Sequence, residues 1–358
     1  MLDCGQAPYL RSVRMTSTLS SEPRPLVAGP APADQYRAWR GVRWALLAMA
    51  AAAYLTWFQV NGLIVDRLWV LAVIGIALAI AHVGRPLEQW VRLGGDLILF
   101  TVMWLAYEES RALADGLGAP LQVESVRDLD RLLLFGHDAT LWMQEQFYSP
   151  DTVRWYDAVA SLLYATHYPL PAAIVIYLWV RNRHQWVRFM RRMATVLFIG
   201  CVGFVLLPTA PPWMAGGGHG SIRLDAIAPV ARPVGHFWQQ LGLDVLTDTW
   251  DSGRQWLNEV AAMPSLHAAF SLLVVVFFLP RVRRRWLRAA LLSFPLAMAL
   301  SVVYLGEHYV VDVLAGWATV GVAFAIWSRI ERRADAANAD LGDSEETERH
   351  GALVEASQ

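Results

Sequence analysis

Eight apolar stretches dominate this chain of 358 residues, near positions 43–60, 67–84, 93–110, 157–180, 192–208, 262–280, 287–305 and 309–329. Each approaches the roughly 18–20 residues that a helix needs to cross the hydrocarbon core of a bilayer. A backbone inside that core has no water to bond, so segments of this kind must satisfy themselves as helices. The expected fold class is therefore all-α, a polytopic membrane helical bundle of about eight transmembrane helices. Composition agrees: hydrophobic residues make up 56% and charged residues only 17%, too apolar for an ordinary soluble domain. The 17 Trp suit a membrane protein with interfacial anchors. The stretch 93–110 is the least regular, with Asp96, Glu108 and Glu109 in or near it.

Loop arginines set an orientation. There is no Lys, so all 30 basic side chains are Arg. Segments 181–192 and 281–288 hold five each. With eight spans, both fall on the same side as the N-terminal tail and the 85–92 loop, and the positive-inside rule makes that side cytoplasmic. The long loops 111–156 and 209–261, where acids outnumber Arg, face the other side. Seven spans would put the two richest Arg loops on opposite faces. These clusters have a topological explanation and give no sign of nucleic-acid binding. Residues 1–41 are polar and lack the apolar core of a signal peptide, so they read as a disordered cytoplasmic tail; 331–358 read as a second, acidic one. Cys4 and Cys201 lie in the tail and in an apolar run, so no disulfide is expected.

Two short motifs carry the chemistry: Pro264-Ser265-Leu266-His267 opens the sixth run and His308-Tyr309-Val310-Val311-Asp312 opens the eighth. Both of these even-numbered spans run inward. Their N-termini, with free N–H groups and positive dipole ends, sit together at the extracytoplasmic surface and suit a phosphate. His308 and Asp312 are four residues apart and share a helix face. The aspartate can accept from one ring nitrogen and leave the other as a nucleophile. His267, from another helix, can protonate a leaving oxygen. Metal binding by Glu307, His308, Asp312 and His267 is a competing reading, weakened by the lack of a dense ligand motif such as HExxH.

Those residues, with Ser301-Val302-Val303-Tyr304-Leu305-Gly306-Glu307 before His308, resemble the second and third signatures of the type 2 phosphatidic acid phosphatase superfamily, PSGH and SRxxxxxHxxxD. The resemblance implies a six-helix catalytic core within residues 93–330, preceded by two extra transmembrane helices at 42–92. It also implies that His308 becomes a phosphohistidine, Asp312 orients it, His267 is the general acid and Ser265 holds phosphate. The departures are specific. Val302 stands where the third signature has Arg, Leu266 where the second has Gly, and the first signature, KxxxxxxRP, is missing. In its place Pro208-Thr209-Ala210-Pro211-Pro212-Trp213 ends the fifth run. With PSLH it is similar to the inositol-phosphorylceramide synthase branch, as are Asp130-Arg131-Leu132 and Tyr164-Ala165-Thr166-His167-Tyr168. Pro208, Thr209 and Tyr304 join the expected substrate-binding residues on this ground.

The resemblance implies an integral-membrane phosphotransferase that moves an inositol-phosphate head group between lipids at the outer face of a bacterial inner membrane. The bilayer, a phospholipid donor and a hydroxyl-lipid acceptor are its expected partners. A lipid or polyprenyl phosphate phosphatase is the alternative, with water as acceptor. A transporter or flippase is less favoured, because the strongly polar residues gather at one face. No cofactor or metal is demanded, and activity is expected to persist in EDTA. A phosphodiester carries one charge and a phosphomonoester nearly two, so the loss of the usual cations fits a diester better. Some cation is still required. Arg111 and Arg131 are the leading candidates; Arg223, Arg232 and Arg254 are rivals. Residues 126–148, with Leu129, Leu132, Leu133, Trp142 and Phe147 at helical spacing, read as interfacial helices or as a lid. His167, about ten residues into the fourth span, reads as a buried hydrogen-bonding side chain. Oligomeric state is open.

Overall fold

A computed structural model of the protein describes residues 36–61, 67–167, 169–217, 228–242 and 259–356. They fall into two compact units, the described residues of 1–60 and 72–93 and the described residues of 61–71 and 94–358. In the first, α1 (Arg40–Asn61) and α2 (Arg67–His82) are apolar helices. Their shared end is fastened by Arg43, which donates to the carbonyls of Tyr36 and Val83 at 2.7 and 3.0 Å. The guanidiniums of Arg43 and Arg85 both lie within 3.6 Å of the Tyr36 ring centroid.

The second unit holds most of α3 (Leu87–Gly116), then α4 (Glu124–Leu133), α5 (Ala139–Phe147), α6 (Trp155–Ala165), α7 (Pro169–Arg181), α8 (Arg183–Leu206), the short α9 (Pro212–Ala215), α10 (Val234–Gln240), α11 (Leu266–Phe278), α12 (Arg285–Tyr304) and α13 (Val310–Ala356). All eight apolar runs are helical. Five helices are long and apolar enough to cross a membrane: α1, α3 through Ser110, α8, α12, and α13 through Ala337. The pair α6–α7, bent by 43°, makes a sixth; α2 and α11 are shorter apolar helices. The chain is an all-α polytopic membrane protein. Among the described residues the only β pairing is two isolated parallel bridges, Gln122 to Thr209 and Thr209 to Ala261.

α11 is the centre of this unit. It is apolar all round, and such a helix is buried on every side. Leu266, Phe270, Leu273 and Phe277 pack with Phe189, Val196 and Phe204 of α8 and with Val320 and Ala323 of α13. Ala268 faces Tyr164 of α6 and Met298, Val302 and Val303 of α12. Val302, the departure from the third signature, is fully buried in that second cluster.

The charges near the start of α3 have partners. Asp96 accepts two bonds from Arg183, at 2.5 and 2.7 Å, and one from Trp179 Nε1 at 2.9 Å. Arg188 and Arg192 of α8 both grip Glu331 of α13 at 2.6–3.1 Å, and Arg281 bonds Gln185. The N-terminal end of α8 therefore meets the middle of α13 and the end of α11, so α11 and α13 run parallel to each other and antiparallel to α8. The arginine-rich ends and the two histidine motifs lie at opposite ends of the bundle.

Two boundaries differ from the sequence expectation. α1 begins at Arg40, inside the expected tail. α13 continues to Ala356, where an unstructured segment was expected from residue 331. That stretch is rich in Ala, Glu and Arg, whose straight or small side chains favour a helix even without a core to pack on.

Candidate active site

The site is assembled on Pro208–Pro212. Pro208 O accepts from Gln122 N at 2.7 Å, Thr209 N donates to Val260 O at 2.7 Å, and Thr209 O accepts from Ala262 N at 3.3 Å. Thr209 is fully buried, and its hydroxyl turns back to Leu207 O at 2.8 Å. Pro208 and Thr209, expected as substrate contacts, thus serve as a peg that fixes residues 260–262. Ser265 is also fully buried. It is the N-cap of α11, its hydroxyl accepting from Ala268 N at 3.3 Å. The cap uses the hydroxyl as an acceptor, and its proton is still available to donate.

Two bonds bring the motifs together. Ser265 N donates to Asp312 O at 2.9 Å. Gly316 lets α11 and α13 close, for a Cβ there would stand 2.3 Å from Ser265 O. The ring of His267 then meets that of His308, with His308 Nε2 and His267 Nδ1 3.3 Å apart.

The tautomers follow from acceptors. His308 Nδ1 lies 2.9 Å from Ala262 O. A carbonyl only accepts, so Nδ1 carries the proton and Nε2 keeps its lone pair. Nε2 then accepts from Nδ1–H of His267. The sequence assigned the orienting role to Asp312. Its nearer oxygen is 3.6 Å from His308 Nδ1 and instead accepts Tyr309 N at 2.8 Å. Asp312 therefore caps its own helix and sets a negative charge beside the imidazole, while a backbone carbonyl fixes the ring. Its Oδ1 is buried with no hydrogen-bond partner among the described residues.

Two further groups meet His267. Tyr164 and His167, one turn apart at the α6–α7 bend, both stack on His267, at 4.5 and 3.9 Å between centroids. His167, read from sequence as a mid-span hydrogen-bonding residue, is thus part of the site. Beside His308, Glu307 receives Arg232 through two bonds of 2.6 and 3.2 Å. Arg232 also lies over Trp213, 4.2 Å from its centroid, and Trp213 N donates to Gly306 O at 2.9 Å. Burial works against the Arg232 charge, but the charge and hydrogen bonds of Glu307 outweigh it and push the pKa up. Arg232 keeps its proton at any physiological pH.

A model of the PAP2 superfamily, the type 2 phosphatidic acid phosphatases, matches residues 124–326, more than half of the chain. The chain belongs to the PAP2 superfamily. It is also similar to the phosphoinositol dihydroceramide synthase of Bacteroides thetaiotaomicron, with 27% identity over 229 residues, 63% of this chain and 73% of that protein. No solved structure matches it.

Arg232, ranked in the sequence only as a rival cation, is the one among the described residues that pairs with the residue beside His308. The leading cations fare differently. Arg131 is partly buried on α4, its Nε without a hydrogen-bond partner among the described residues. The side chain of Arg111 and all of Arg223 and Arg254 lie outside the described residues. Tyr304, expected to bind substrate, directs its hydroxyl to Asp157 of α6 and is buried in the α11–α12 cluster.

Asp130, on α4, was also unassigned. Its Oδ1 accepts Val311 N at 2.8 Å, in the first turn of α13. Burial, with Asp312 and Asp138 nearby, pushes its pKa up to about 6 against the bonds it accepts. Among the described residues, no three His, Cys, Asp or Glu side chains group as a metal site.

Proposed function

We propose that this PAP2 protein is a lipid head-group phosphotransferase working through a covalent intermediate on His308, with a phosphoinositol lipid as donor and a hydroxyl lipid as acceptor. The observation that carries the reading is the bond from His308 Nδ1 to the Ala262 carbonyl, which leaves Nε2 as a lone-pair nucleophile 3.3 Å from His267. His308 Nε2 attacks phosphorus, and the bond from phosphorus to the glycerol oxygen of the donor breaks. For His267 to protonate that oxygen from Nδ1, its other nitrogen must already hold a proton. The acid step thus requires His267 as the imidazolium when the anionic donor is bound, a state the donor's charge favours. In the second half the acceptor hydroxyl attacks phosphorus, His267 takes its proton, and the P–N bond breaks.

Arg232 supplies the cation for the equatorial oxygens. Glu307 pairs with it in this structure, and phosphate competes with that carboxylate. One guanidinium against one carboxylate leaves little net positive charge, which favours a singly charged diester. The named activity of the Bacteroides relative supports phosphoinositol as the transferred group. Residues 93–330 are assigned as the catalytic domain. The Arg-rich loops support a bacterial inner membrane with cytoplasmic termini and an extracytoplasmic site.

The test follows phosphorus. Protein in liposomes receives phosphatidylinositol labelled at phosphate together with a long-chain hydroxyl lipid. Label in a new lipid, lost in His308→Ala, is the expected result. Label released only as water-soluble phosphate or inositol phosphate would make the protein a hydrolase and overturn the acceptor half.

A further inference from the structure

α4 has two unlike faces. Val126 and Asp130 are buried, and Asp130 reaches the first turn of α13. Along the flank beside them, Leu129, Leu132 and Leu133 are 42%, 75% and 45% exposed, and Phe135, just past the helix end, is 94% exposed. Phe135 also has φ of 55°, a left-handed conformation that a bulky side chain rarely adopts. A turn that holds a large aromatic ring outward in a disfavoured conformation points to an apolar partner for that ring.

The partner follows from position. α4 is tied to the first turn of a membrane-spanning helix, so it lies where that helix leaves the bilayer. Trp155, which opens the α6–α7 pair on the same end of the bundle, and Trp142 of α5 are also exposed. Trp favours the membrane–water boundary because its ring is apolar and its N–H is polar. We propose that Leu129, Leu132, Leu133 and Phe135 form a wedge inserted at the headgroup–acyl boundary of the leaflet on the histidine side, and that Asp130 ties this wedge to the start of α13 so that long-chain lipids are delivered to His308. The insertion stands on the exposed edge itself; the delivery rests on the phosphotransferase reading.

The test has two arms on the full-length protein. In the first, Phe135→Cys carries an environment-sensitive fluorophore in a Cys4→Ser background, in phosphatidylcholine vesicles containing spin-labelled phospholipid. A label at Glu124→Cys, on the polar start of the same helix, is the control. Several-fold stronger quenching at position 135 is expected, and equal weak quenching at both positions would overturn the wedge. In the second arm, Phe135→Asp is compared with wild type on long-chain phosphatidylinositol in vesicles and on a soluble short-chain analogue. Losing the burial of one aromatic side chain predicts a drop of roughly tenfold on the vesicle substrate relative to the soluble one. Equal losses on both would overturn delivery. A wild type inactive on both lipids would count against the phosphotransferase reading, and with it delivery, while the quenching arm still decides insertion.

Discussion

Replacing Gly316 by Ala adds one carbon at the closest approach of the two histidine-bearing helices. The new Cβ would stand 2.3 Å from Ser265 O, whereas ordinary contact starts at 3.4 Å. The start of α11 must therefore withdraw by the difference, about 1.1 Å. The obstacle is a backbone carbonyl that already accepts the first α11 bond, from Ala269 N at 3.0 Å, so no side chain can swing aside. His267 lies two residues on, and such a shift takes its 3.3 Å contact with His308 out of hydrogen-bond range. Misplacement of about 1 Å lowers turnover by roughly a hundredfold. Stability moves less: overpacking costs about 1–3 kcal/mol, against a gain of about 1 kcal/mol for Ala over Gly within a helix. Gly321, on the same helix with nothing within 4 Å of its Cβ position, is the control; Gly321→Ala keeps its activity and melts no lower than wild type. The assay is label transfer in liposomes beside thermal melting in detergent. Wild-type turnover in Gly316→Ala would refute the claim that this contact sets the histidine spacing.

Arg232→Gln is expected to lower kcat by about 10²–10³, the scale of losing one transition-state cation or donor. Arg232→Lys recovers only part, because the two-pronged geometry is lost; full activity in the Gln variant would return the cation role to Arg111 or Arg131. Asp130 gives a pH signature. Its pKa rises from 3.8 to about 6 on folding, so the folded protein holds this proton more tightly than the unfolded chain does. Its contribution is complete below about pH 4 and is lost as pH rises through 6. Wild type should therefore lose melting temperature relative to Asp130→Asn between pH 4 and 7, and a constant difference would contradict the assignment. Tyr304→Phe leaves an oxygen of the buried Asp157 unpaired, so stability falls by about 1–3 kcal/mol while turnover per folded molecule holds. A large loss of turnover at unchanged stability would restore Tyr304 as a substrate contact.

The spans and both histidine motifs were readable from sequence because they are local. An apolar run of sufficient length needs no partner to declare itself, and PSLH carries its own N-cap. What escaped depends on residues far apart in the chain. His308 takes its orienting bond from Ala262, 46 residues away, although Asp312 sits at the spacing that suggests a partner. Asp312 is drawn instead to the free N–H at the start of its own helix. Arg232 stood among five candidate arginines in the sequence, and its bond to Glu307, 75 residues away, is what no local pattern could show. Gly316 looks like any small residue in a membrane helix until Ser265 is placed against it. Thr209 and Ser265, polar groups beside the reactive residues, were read as substrate contacts; in the fold both also make backbone bonds that shape the site.

The most direct measurement is to trap the phosphorus on the protein. Wild type is mixed with head-group-labelled phosphatidylinositol in liposomes lacking acceptor and quenched under alkaline conditions, which preserve a phosphorus–nitrogen bond, and the label is mapped by peptide. The account predicts acid-labile label on the peptide bearing His308, absent in His308→Ala and chased into lipid when acceptor is added. Transfer that proceeds in His308→Ala, or label that maps to another residue, would contradict it.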